Sequence, residues 1–134
     1  MLKYVSTFSV VTLLPAGLLL YASTQGGFWP MAPLLILGMV NHLVDALFDD
    51  VADAAIERIF QAALPIALAC LHFVLLATCV WTLVYQPLGI ASKFALFFAY
   101  TLYFAHVSNA VGHELIHRTK KLPFNLGKWL FISI

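Results

Sequence analysis

The chain has 134 residues, of which 63% are hydrophobic and 10% charged, and a formal net charge of +1. A soluble globular domain carries about 25% charged residues, so the composition excludes an ordinary water-soluble domain. It is too near neutrality, with one short basic cluster, to give nucleic acid a footing.

The first apolar run covers residues 4–21, eighteen positions without a charge, with Lys3 before it and a turn at Ser23-Thr24-Gln25-Gly26-Gly27 after it. Lys3 and the run have the outline of a signal peptide. The run is long for one, however, and Tyr21-Ala22-Ser23 is a poor cleavage site. The second run, residues 28–48, has Pro30 and Pro33 in its first turns, where a missing N–H costs least. Its far end is polar, with Asn41, His42, Asp45 and Asp49. The third run, residues 59–85, is long enough to span a bilayer with tilt, and Pro65 is placed to kink it. Within it, Cys70 and Cys79 are nine residues apart. On a helix they take opposite faces, roughly 13 Å apart along the axis, so they read as free, packed thiols. The turn Gln86-Pro87-Leu88-Gly89 ends that run, and a fourth covers residues 94–111, continuing without a breaker through His113, Glu114, His117 and Arg118.

These runs predict an all-α polytopic membrane protein with four transmembrane helices, near residues 4–21, 28–48, 59–85 and 92–117, the last extending into the cytoplasm. Lys3, Arg58, Arg118, Lys120, Lys121 and Lys128 then share one side and Lys93 alone holds the other. The excess of Lys and Arg assigns the first side, with both termini, to the cytoplasm.

His113-Glu114-Leu115-Ile116-His117 is an HExxH sequence. Histidines at i and i+4 project from one helical face, so both imidazoles can reach one metal centre. The bland reading is a pair of polar residues at a helix's wet end. Position favours the metal, because residues 94–111 are about 27 Å of helix, close to the hydrocarbon thickness, which puts the pair near the interface. His106, seven residues before His113, and Asn109 fall on nearly the same face at greater depth, where polar residues usually turn into the bundle. His106 reads as a residue lining the site, a third ligand, or a hydrogen-bonded core histidine. His72 lies mid-span with no polar company in the sequence and reads as core. Asp45 is placed to accept the second N–H of a ligating histidine and fix its tautomer, against the plainer reading of a helix-end acid in water.

The stretch Asn109-Ala-Val-Gly-His113-Glu-Leu-Ile-His117-Arg118 resembles the first histidine box of the membrane alkane monooxygenases and their xylene monooxygenase relatives. Residues 33–48, with Leu43-Val44-Asp45-Ala46-Leu47-Phe48 at the cytoplasmic end, look like the family's second helix. The resemblance covers most of the chain, but only the box is specific. It implies that His113 and His117 are iron ligands of a site with two non-haem Fe ions in a bacterial inner membrane. It implies O₂, a reduced rubredoxin or ferredoxin-type donor, and an apolar alkane or fatty-acyl substrate that approaches through membrane lipid and is hydroxylated.

The chain departs from that family in lacking its later histidine clusters, and two histidines cannot hold two irons. The apolar run Trp129-Leu-Phe-Ile-Ser-Ile134 has no polar tail after it. The expectation is therefore an incomplete N-terminal part of the hydroxylase, inactive alone. Three other readings stay open. A fatty acid desaturase or hydroxylase of the histidine-box group shares the metal and differs in substrate. An intramembrane zinc metalloprotease would use the histidines as zinc ligands and Glu114 to activate water. A small four-helix membrane protein would carry the box by accident.

Overall fold

Long apolar segments can bury their backbone N–H and C=O groups only by pairing them internally, and a helix does this within one segment. The computed structural model describes residues 2–25, 27–48 and 63–134, with side chains for residues 12–25, 27–39 and 63–134. Every regular element among the described residues is helical. In chain order these are α1 (Leu2–Thr24), α2 (Met31–Phe48), α3 (Leu64–Tyr85), α4 (Ile90–Tyr103), a π-helical turn (Phe104–Ser108), α5 (Asn109–Ile116) and α6 (Lys121–Ser133).

The boundaries follow from local chemistry. α1 runs through Ser23 and Thr24 rather than stopping at Tyr21, because both hydroxyls bond back to carbonyls of their own helix, Leu19 and Tyr21, at 2.8 Å. Gly27 makes the turn into α2 at φ 71°, a conformation that glycine adopts without a Cβ penalty. Pro65 sits in the first turn of the described helix α3, where a missing N–H costs least. The part of the third run before Ala63 lies outside the described residues. Pro87 holds Gln86 extended, at φ −74° and ψ 136°, and so stops α3. α6 is an element the hydropathy reading did not anticipate. It starts after an extended Lys120 and carries Pro123 in its first turn.

Polar contacts fix the up-and-down order. Ser92 donates to the Gly27 carbonyl at 3.3 Å and the Lys93 ammonium to the Leu83 carbonyl at 2.8 Å. The C-terminal ends of α1 and α3 therefore meet the N-terminal ends of α2 and α4. α1 packs on α2, α3 and α4, and α2 packs on α4. Their shared core includes Leu19, Leu37, Leu75, Leu96 and Tyr100. Buried in it, Ser23 spends its hydroxyl hydrogen on Leu19, so the Tyr100 hydroxyl, 2.8 Å away, donates to Ser23. A second core joins α3, α5 and α6 through Leu68, Ala69, Val111, Leu115 and Leu130.

The outside is as apolar as the inside. Leu35, Met39, Val74, Val84, Phe94 and Phe98 are all exposed, a surface that a water-soluble monomer would not carry. Aromatic residues gather where α1 and α3 end: Tyr21 meets Trp29 edge-on at 5.1 Å, and Trp81 meets Tyr85 at 4.7 Å. Among the described residues, two helices, Leu64–Tyr85 and Ile90–Ile116, are long and apolar enough to cross a membrane.

α6 folds back antiparallel to α5 at close range. A Cβ on Gly127 would lie 2.8 Å from the Leu115 Cβ and 3.0 Å from the Ile116 backbone nitrogen. A Cβ on Gly112 would meet the Phe131 ring at 3.2 Å. Gly127→Ala is therefore expected to destabilise the folded chain by about 1–3 kcal/mol, the usual cost of overpacking. Gly17→Ala, with nothing within 4 Å of its added methyl, is expected to be neutral or slightly stabilising. Thermal unfolding of the two variants in one detergent checks the contrast; equal midpoints would count against the close crossing.

Candidate metal centre

The box sits on α5, and its direction is set by the turn before it. α4 buries Ala95, Leu96, Ala99, Tyr100 and Tyr103. At about 100° per residue, an unbroken α-helix would continue that face through 107, 110, 114 and close to 117. The structure instead buries Ser108, Val111, Gly112 and Leu115. The face has slipped by one residue, which is what a π-turn does. Its signature is the Asn109 N–H, which bonds to the Phe104 carbonyl five residues back. The slip turns Gly112 and Leu115 inward against α6 and leaves His113 and His117 exposed together on the outer side.

His113 lies edge-on to the Phe131 ring of α6 at 5.1 Å. His117 caps α5 at φ −83° and ψ −2°, still near helical geometry. It opens onto a cleft of about 510 Å³ that Glu114, Arg118, Thr119 and Lys120 also line, beside Ala63 and Ile66 at the start of α3. Glu114 is half-buried and accepts a hydrogen bond from the Arg118 guanidinium at 3.1 Å.

Two expectations about the deeper residues are corrected. His106 and Asn109 are exposed, not turned into the bundle interior. His106 also lies inside the π-turn, so its seven-residue spacing to His113 no longer returns to the same angle. Asp45 lies on α2, but its side chain, with those of His42 and Asp49, is outside the described residues. Among the described residues, no group of three His, Cys, Asp or Glu side chains is close enough to hold a metal ion. The two imidazoles fit a metal as part of a donor set, not as the whole of it.

His72 lies in the core, as its sequence setting predicts, but with polar partners that the sequence did not show. It is fully buried, and both ring nitrogens are occupied: Nδ1 lies 2.9 Å from Ser108 Oγ and Nε2 lies 2.9 Å from Ser133 Oγ. Ser133 also donates to the Leu130 carbonyl at 2.8 Å. A hydroxyl has one hydrogen, so Ser133 accepts from Nε2–H; a fully buried ring is far cheaper uncharged than charged, so Nδ1 carries no proton and Ser108 donates to it. The imidazole is thus neutral in one tautomer, and it ties α3 to the π-turn and to α6. The serines were visible in the sequence as small polar residues in apolar runs, but nothing there paired them with His72. The cysteines are free as expected, but only Cys79 is packed in the core; Cys70 is exposed.

No protein-family model matches the chain, and no curated protein or solved structure matches it.

The 134-residue chain is expected to bind divalent transition metal weakly and to lose that binding in His117→Ala, because affinity falls steeply with an incomplete ligand shell. Metal titration of the purified chain tests this, and stoichiometric binding of two irons would refute it.

Proposed function

We propose that this chain belongs to a membrane-bound, histidine-ligated di-iron monooxygenase that hydroxylates alkanes or alkyl chains. The observation that carries the reading is the exposed pair His113 and His117, one turn apart at the end of a 27-residue apolar helix. The similarity of Asn109 to Arg118 to the alkane monooxygenase box supports it.

In this reading four helices cross the bilayer. Four α1, α2, α3 and α4–α5 segments of 18 or more residues, in up-and-down order, are consistent with that. The aromatic cluster at the ends of α1 and α3 suits the outer interface. The basic residues Arg118, Lys120 and Lys121 suit the cytoplasmic one. The box then lies where a soluble rubredoxin or ferredoxin-type donor can approach from water and a greasy substrate from lipid.

His113 and His117 would hold part of an iron centre that would supply O₂ activation, by which one oxygen atom enters a C–H bond and the other leaves as water, with two electrons from the donor and two protons from solvent. His113 and His117 would each offer one imidazole nitrogen to that centre. Arg118 holds Glu114 in place beside them, and the apolar exterior accepts the alkyl chain. The remaining donors must come from residues outside the described ones, since two imidazoles do not complete a shell.

In the parent protein, His113→Ala and His117→Ala are each expected to abolish hydroxylation while membrane insertion persists. Glu114→Gln is expected to retain iron and part of the activity. A wild type that holds zinc instead of iron, with a Glu114→Gln variant that keeps zinc but no longer cleaves peptides, would replace this reading with a metalloprotease. For topology, reporter fusions at Gly26 and Gly89 are expected to read outside and a fusion at Asp53 inside. The opposite pattern would reverse the orientation.

A further inference from the structure

A π-turn is a rare and poorly bonded conformation, and an uninterrupted α-helix is the easier state for the same residues. Something outside the helix must favour the extra residue. One side chain touches both ends of the turn. The His72 ring packs edge-on against Phe104, the first residue of the turn, with centroids 4.6 Å apart. Its Nδ1 takes a hydrogen bond from Ser108, the last, at 2.9 Å. In the uninterrupted helix Ser108 would rotate by about 100° away from the buried face. Nδ1 would then lose its donor in a fully buried site, an outcome that proteins avoid.

We infer that His72 is a positioning residue for the histidine box: by packing on Phe104 and holding Ser108 on the buried face, it fixes the one-residue slip that turns His113 and His117 outward. Relaxation to an α-helix would bring Glu114 and His117 toward α3 and α6 and turn Leu115 out. The same imidazole reports on α6 through Nε2–H and Ser133, so the phase of α5 and the docking of its neighbour are set at one point. The consequence for chemistry rests on the metal reading above. The orientation itself does not, and its test needs no metal.

The experiment uses the full chain in phosphatidylcholine nanodiscs, with Cys70→Ala and Cys79→Ala as background, and a water-soluble maleimide as probe. Two single-cysteine reporters, Leu115→Cys and His117→Cys, lie at the wet end of α5. With His72 present, the reporter at 117 is expected to label faster than the one at 115. His72→Leu is expected to invert that ratio, and the milder Ser108→Ala to move it in the same direction. Deleting Ala105 removes the extra residue, so an uninterrupted α-helix then carries the box in its present phase. In the His72→Leu background this deletion is expected to restore the original ratio. A His72→Leu chain that keeps the original ratio would overturn the inference. So would one in which both reporters label alike and the Ala105 deletion restores nothing, since His72 would then be a general packing residue.

Discussion

A buried imidazole has two nitrogens to satisfy, and in an apolar bundle there is no water to do it. His72 meets the requirement with Ser108 on one side and Ser133 on the other, at 2.9 Å each. Three stretches of chain far apart in sequence are thereby brought to one point. The hydrogen of Ser133 goes to the Leu130 carbonyl, which leaves one consistent tautomer and makes the arrangement directional. Much of the architecture around the box follows from this contact. α6 returns along α5 closely enough that Gly112 and Gly127 are needed at the crossing. The π-turn carries Ser108 inward, and α5 takes the phase that the turn dictates.

The apolar exterior imposes a second constraint. Where both the inside and the outside of a bundle are apolar, burial of hydrophobic surface does little to choose one helix packing over another, and small residues and hydrogen bonds gain weight. The chain uses both. Ala69, Ala95, Ala99, Gly112 and Gly127 lie buried between helices, and the hydroxyls of Ser23, Tyr100, Ser108 and Ser133 are each paired. This also gives the cation Lys93 its role: its ammonium reaches the Leu83 carbonyl at 2.8 Å, left free near the end of α3.

The box combines these two constraints. His113 and His117 are exposed because the π-turn has spent one residue, and they stand at the end of the helix because the apolar run before them has the length it has. Glu114, half-buried between them in sequence, is held by Arg118.

Hydropathy and the turn residues sufficed for the helices up to α5, though not for α6, since a segment of that apolarity must be helical to pair its backbone and Pro87 must break it. The HExxH spacing likewise sufficed to put His113 and His117 on one face, because i and i+4 are neighbours on any α-helix. Which way that face points was not legible. It depends on an extra residue between Phe104 and Ser108, and no local preference in Phe-Ala-His-Val-Ser announces a π-turn. For the same reason His106 and Asn109 were expected inside and are found outside. The partners of His72 and the return of α6 were hidden too, because they join residues 36 and 61 positions apart. Periodicity reports the faces of single helices; only packing decides which of those faces meet.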